Sequence, residues 1–135
     1  AIARAQERGV AIVAAVGNDG PATALRFPAA YDEVVAVTAV DANDRVYLRA
    51  NRGEGVDFSA PGVRVLAAAP GGGYAAQSGT SFAAPFVAAV LLNAADADKG
   101  LTPAEIEALA AQAEDLGAPG PDAVFGAGYL SFRNP

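Results

Sequence analysis

Seven consecutive apolar residues, Val10-Ala11-Ile12-Val13-Ala14-Ala15-Val16, lie between Gly9 and Gly17. A strand with one wet face alternates apolar and polar residues. A run without alternation fits a strand covered on both faces, as in a parallel sheet of an α/β protein. Glu33 to Val40 repeats that character, so at least two buried parallel strands are expected. Ahead of the first, Ala1 to Arg8 reads as the end of an amphipathic helix stopped by Gly9. Gly17-Asn18-Asp19-Gly20-Pro21 then forms a loop at the strand's C-terminal end, where ligands bind in open α/β sheets.

The rest of the chain is punctuated by turns. Asp41 to Asp44 is a turn, and Arg45 to Gly55 is polar loop or short edge strand. Val56 to Ser59 is a short strand expected to stop at Ala60-Pro61-Gly62. Val63 to Ala68 and Tyr74 to Gln77, joined through Gly71-Gly72-Gly73, read as a β-hairpin. Ser81 to Ala97 is a long helix, apolar on nearly all sides and therefore expected to be buried, closed by Lys99-Gly100. Thr102-Pro103-Ala104-Glu105 carries a cap, a first-turn proline and a capping-box glutamate, and Ile106, Leu109, Ala110 and Ala113 share one face of the helix it starts. Phe125 to Leu130 is a short terminal strand or turn. Without repeats or linkers, residues 1–135 read as one unit of class α/β, a partial doubly wound parallel sheet with a β-hairpin before the long helix.

Composition narrows the function classes. With 53% hydrophobic and 18% charged residues the chain has the makings of a packed core. A net charge of −6 and the lack of any basic cluster argue against nucleic-acid and anionic-membrane partners. No apolar run reaches the ~18 residues of a membrane span. There is no cysteine for disulfides or thiolate metal sites, no histidine and no methionine. Asp41-Ala42-Asn43-Asp44 lacks the glycine and closing glutamate of a calcium loop, so no metal site is expected there. Gly71-Gly72-Gly73 lacks the Lys-Ser/Thr of a phosphate loop, and the Gly17 to Gly20 loop lacks dinucleotide glycine spacing.

The stretch that carries chemistry is Gly79-Thr80-Ser81-Phe82-Ala83-Ala84-Pro85. It delivers Ser81 to a helix N-terminus, where free N–H groups and the helix dipole favour developing negative charge. A serine there is most often a cap. Against the cap reading stand Gly79, which permits close backbone approach, and Pro85, whose missing N–H deprives the Ser81 carbonyl of its partner and distorts the first turn. The Gly-x-Ser-x-Gly elbow of lipases does not match.

This motif resembles the active-serine segment of the subtilisin-like serine proteases. Ala14-Ala15-Val16-Gly17-Asn18 is similar to the family's strand ending in Gly-Asn, Val56 to Gly62 to its strand and Ala-Pro-Gly turn, and Asp115-Leu116-Gly117 with Phe125-Gly126-Ala127-Gly128 to its C-terminal signature. The resemblance covers essentially the whole chain, as the C-terminal half of a three-layer α/β/α catalytic domain. It implies that Ser81 is the nucleophile and that Asn18 holds the oxyanion together with the Ser81 N–H. Read alone, Asn18 is a turn residue. The resemblance also implies substrate-side roles for Ala15, Val16, Gly17, Arg26, Gly79 and Thr80, with Arg26 near the base of the specificity pocket favouring acidic or polar side chains. The plainer reading of Arg26 is a solvated arginine. Some relatives hold a cation through carbonyls near Ala29, Tyr31 and Val34 with a carboxylate near Asp57. Calcium thus enters only for an intact parent, and no cofactor or metal is expected here. Phe86 stands where the family often has a structural histidine.

The histidine and aspartate that the family uses to activate its serine have no counterpart in these residues. The expectation is therefore a fragment of a serine endopeptidase, inactive alone, whose partners are a peptide or protein substrate and the missing N-terminal half of the domain. The alternative is a non-catalytic pseudo-protease acting as a binding or structural module. A strand edge left without its neighbour implies self-association. By resemblance, a secreted or periplasmic location is expected.

Overall fold

The computed structural model describes residues 1–130. Its elements in order are α1 (Ile2–Gln6), β1 (Ile12–Ala15), β2 (Val34–Val40), β3 (Phe58–Pro61), β4 (Val65–Ala68), β5 (Tyr74–Gln77), α2 (Thr80–Ala94) and α3 (Pro103–Ala110). Strands β1, β2 and β3 form a parallel sheet in that order, with Ile12 opposite Val34 and Val37 opposite Phe58. Strands β4 and β5 form the expected antiparallel hairpin, in which Val65 pairs with Gln77 and Ala68 with Tyr74.

The central strand explains why its sequence does not alternate: all of Val34 to Val40 is buried. Val35, Val37 and Ala39, with Phe58 and Ala60, pack against Ala83, Val87, Val90 and Leu91 of α2. Partly buried Ile106, Leu109 and Ala110 add the face of α3 to that layer, and Ala113, expected on the same helix, follows it in the turn beyond Ala110. On the other side Val34 and Ala36, with Ala14 and Val16, meet Ala29, Leu25 and Ile2 of α1. Each buried Val or Leu contributes about 1.5–3 kcal/mol, so this two-sided strand is the main apolar contribution to the fold. Both crossovers between parallel strands, residues 16–33 and 41–57, are loops without a helix, and that departs from a regular doubly wound unit.

Several element boundaries differ from the sequence reading. Strand β3 starts at Phe58 and runs through Ala60 and Pro61 rather than stopping there. Pro61 closes the strand, whose pairing to β2 is on one side, and the next amide, Gly62 N–H, donates to the Val40 carbonyl. Of the open readings, the stretch from Arg45 is loop with an isolated bridge, Val46 to Val40, and Phe125 to Leu130 is turn and not strand, with Tyr129 bridging both Ser59 and Glu114. Helix α2 ends at Ala94 and not at Ala97. It is also not buried all round: Leu92 is 76% exposed and Phe86 39%. The three-stranded sheet covers one side of the helix, and no described element covers the other. At α3 the capping box forms as expected, with the Glu105 N–H donating to Thr102 Oγ1 and the Thr102 N–H donating to the Glu105 carboxylate. No helix among the described residues is long and apolar enough to cross a membrane.

Two contacts lock the sheet to its surroundings. A Cβ at Gly62 would lie 2.5 Å from Ala39 Cβ, 2.9 Å from the Gly79 carbonyl oxygen and 3.1 Å from Ala83 Cβ. The close approach assigned in sequence to Gly79 therefore belongs to Gly62, since a Cβ at Gly79 would meet Asn18 and Phe82 at an ordinary 3.7 Å. The second contact is Asp57 Oδ2, which accepts the Ala36 N–H at 2.7 Å. Burial pushes the Asp57 carboxyl above its usual range, against the opposing effect of this hydrogen bond.

Replacing Gly62 with alanine is expected to cost about 1–3 kcal/mol by overpacking, read as a lower urea midpoint at unchanged slope. Because the folded-state pKa of Asp57 is raised, its contribution is most favourable below the ordinary value of 3.8 and is lost as pH rises through the folded value. Asp57→Asn should therefore stabilise the fold at pH 7, with the gain closing towards pH 3, as measured by urea unfolding at the two pH values.

Candidate active site

Helix α2 opens beside the C-terminal end of β1, and the loop after β1 supplies what its first turn lacks. Its N-cap is Gly79, with no side-chain cap. Ser81, at the second helical position, is exposed and does not cap the helix. The Thr80 N–H instead donates to Asn18 Oδ1 at 2.9 Å. The buried Thr80 hydroxyl lies 3.2 Å from the same oxygen and 3.3 Å from the Gly17 carbonyl. An N–H only donates, so the Asn18 atom facing it is oxygen, and the amide nitrogen of Asn18 faces away from Thr80. Among the described residues that nitrogen has no protein acceptor. The Ser81 N–H lies in the first helical turn, where no intrahelical acceptor exists.

The structure thus brings Asn18, Gly79, Thr80 and Ser81 together, with Gly17 carried by the same loop. Pro85 lies within α2, and its missing N–H leaves the Ser81 carbonyl without the usual partner. Gly79 in turn donates to the Gly62 carbonyl at 2.8 Å, so the serine turn is anchored on the residue that follows β3.

Ala15 ends β1 and Val16 follows it, and the Val16 carbonyl accepts the Arg26 N–H at 2.9 Å. This brings Arg26 next to Gly17, at φ 113°, where a Cβ would lie 2.9 Å from Arg26 Cγ. The guanidinium does not stand free: Arg26 Nε is 2.8 Å from Asp19 Oδ2, with both side chains partly exposed. Hydrogen bonds from Arg26 and then Asn51 hold the Asp19 carboxyl below its usual range. An arginine at this position is accordingly already matched to an acid of its own chain.

One residue central to this arrangement is invisible in the sequence. Asn51, inside the polar stretch read as loop, is fully buried. Its Oδ1 accepts the Asp19 N–H at 2.7 Å, its Nδ2 donates to the Ala24 carbonyl at 2.8 Å, and its N–H donates to the Gly17 carbonyl at 3.1 Å. No local pattern marks it, because Arg49-Ala50-Asn51-Arg52 has the composition of an ordinary surface loop.

The residues associated by resemblance with a cation border a cavity of about 330 Å³ that includes Ala29, Tyr31, Val34 and Asp57. Asp32 and Glu54 also line it, yet no group of three or more metal-binding side chains gathers among the described residues. Asp57 is the half-buried carboxylate there, and one of its oxygens is taken by the Ala36 N–H.

Comparison with known proteins agrees with this geometry. A solved structure described as a lanthipeptide protease superposes with a TM-score of 0.84 at 24% identity, over 96% of this chain and 50% of that one. At that identity the likeness shows the fold. The protein named Minor extracellular protease Epr, from Bacillus subtilis (strain 168), is 37% identical over 134 residues, which are 98% of this chain and 21% of that protein. Subtilisin BL from Lederbergia lenta is 44% identical over 88 residues, 65% of this chain and 32% of that protein. The chain therefore spans about a fifth to a third of these relatives. The description "Subtilase family" matches residues 1–128, and with the parallel sheet and the serine turn already on one scaffold, the chain belongs to the subtilase family.

Proposed function

We propose that this chain carries the nucleophile and oxyanion half of a serine endopeptidase site. The observation that carries the reading is the two-point grip of Thr80 on Asn18 Oδ1, at 2.9 and 3.2 Å, which turns the Asn18 amide nitrogen away from Thr80. In this reading Ser81 Oγ attacks a peptide carbonyl carbon. The carbonyl oxygen takes the negative charge between the Asn18 Nδ2–H and Ser81 N–H donors. The C–N bond then breaks, the amine leaves with a proton, and Ser81 keeps the acyl group until water releases it. Ala15, Val16, Gly17 and Arg26 line the substrate side, with Gly79 and Thr80 bordering the serine. In subtilisin, losing an asparagine donor of this kind from the oxyanion hole lowers turnover by about 10²–10³.

The serine proton needs a base, and no histidine exists among the 135 residues. A histidine and its orienting aspartate must come from polypeptide outside this chain, and the chain alone is inactive. The same lack of histidine favours the second reading, a pseudo-protease that binds peptide without cleaving it. A secreted parent is proposed on the strength of relatives such as the extracellular protease of Bacillus subtilis.

The open edge of β1 and the groove beside it define a further property of the isolated chain. The groove measures about 600 Å³ and is bordered by Val10, Val13, Leu91, Leu92 and Ala95. Val10 is 53% exposed and Leu92 76%. An uncharged strand edge beside apolar surface favours pairing between copies.

Incubation with a fluorophosphonate probe should leave Ser81 essentially unlabelled in this chain, while an intact subtilisin labels readily; fast labelling of Ser81 would overturn its inactivity. Light scattering at micromolar concentration should give a mass above the 13.4 kDa of one chain, and a clean monomer would rule out the self-association.

A further inference from the structure

We infer that Asn51 is a positioning residue for Asn18: it fixes the main chain of the loop so that Thr80 can fix the side chain. The inference rests on the oxyanion reading for its functional meaning, and on geometry for its content.

A buried carboxamide is costly unless its donors and acceptor are met. Asn51 is fully buried, and its amide is met by one loop alone. Its Oδ1 takes the Asp19 N–H at 2.7 Å, and its Nδ2 reaches the Ala24 carbonyl at 2.8 Å and Asp19 Oδ2 at 3.4 Å. Its own N–H takes the Gly17 carbonyl at 3.1 Å. Gly17 and Asp19 are the two neighbours of Asn18, so Asn51 holds the peptide units on both sides of that residue. The approach is close enough that a Cβ at Gly17 would lie 2.6 Å from Asn51 Nδ2.

The second half of the arrangement lies on another element. Asn18 Oδ1 accepts the Thr80 N–H and hydroxyl of α2. With two points of main-chain support from Asn51, and with its side-chain oxygen held by the Thr80 N–H and hydroxyl, Asn18 has little freedom left, and its amide nitrogen keeps one direction. Preorganised donors act on developing charge without first having to reorient. The Gly20 N–H to the Arg49 carbonyl at 2.9 Å holds the tip of the loop; the Thr80 hydroxyl on the Gly17 carbonyl and Arg26 on the Asp19 carboxylate also reach the residues beside Asn18, but only Asn51 bonds the main chain on both sides of it.

The test is residue-resolved hydrogen exchange by NMR on the full chain and its Asn51→Ala and Asn51→Asp variants. Removing the amide should speed exchange at the Asp19 N–H, which loses its acceptor, and also at the Thr80 N–H, whose bond to Asn18 depends on the loop. The expected change is about five- to tenfold at each site, the scale of one hydrogen bond, with β2 amides unchanged. Asn51→Asp keeps an acceptor for the Asp19 N–H but turns a second oxygen on the Ala24 carbonyl and Asp19 Oδ2, so it should restore protection in part only at low pH, where the introduced carboxyl is protonated. Exchange at Thr80 that stays at its original rate while Asp19 opens would overturn the inference, leaving Asn51 a packing residue. Loss of β2 protection in both variants would overturn it equally, because Asn51 would then be a determinant of the whole fold. The readout is geometric, so it is decided separately from the probe-labelling test of catalysis.

Discussion

The constraint on which the rest depends is that a helix N-terminus has donors it cannot satisfy. In α2 the cap position is a glycine with nothing to offer, so the first free N–H is met from across the molecule by Asn18 Oδ1. That single acceptor ties the end of β1 to the start of α2, 62 residues apart in the chain. What is ordinarily a local capping interaction becomes a tertiary one. Its by-product is an amide donor aimed elsewhere, next to a serine left free because it is not the cap.

The apolar layer beneath makes this tie geometrically possible. Ala39, Ala60 and Ala83 are all fully buried, and Gly62 lies where any side chain would collide with Ala39. Small residues at the contact let α2 sit low on the sheet, and the serine turn is pulled down by the bond from Gly79 to Gly62. The abundance of alanine in the sequence therefore reflects close approach of elements more than a weak core. The same helix shows the limit of this packing: Val87, Val90 and Leu91 are buried while Leu92 is largely exposed. Its sequence is apolar on more sides than the described sheet covers.

Much of the fold was legible because burial on two faces leaves a signature that needs no partner to be read. The runs ending at Val16 and Val40 could be little else, and the Thr102 to Glu105 cap is written in four consecutive residues. What resisted reading depends on contacts distant in sequence. Pro61 looks like a strand breaker, yet it closes a strand that pairs with β2 on one side. Gly79 looks like the residue of close approach because it adjoins the serine, whereas steric need falls on Gly62, which meets it in space. At the candidate site the motif made Ser81 and Asn18 visible, but Asn51 is polar, loop-borne and set in a stretch that holds Arg49 and Arg52. Its burial exists only once the Gly17 to Ala24 loop folds over it. The pairing of Arg26 with Asp19 was not legible either, since seven positions of irregular loop separate them.

The interlock of Gly17 with Asn51 has a consequence for how such a site can change over time. Any side chain at position 17 needs the space that the Asn51 amide occupies, and a smaller residue at 51 would surrender the bonds that hold the neighbours of Asn18. Neither position can be altered without loss before the other. Variation in the shape of this loop must therefore come as paired substitutions at 17 and 51, or be displaced to its tip, where a Cβ at Gly20 would meet nothing within 4 Å. The base of the loop is held by coupling, and its tip is where change meets least resistance.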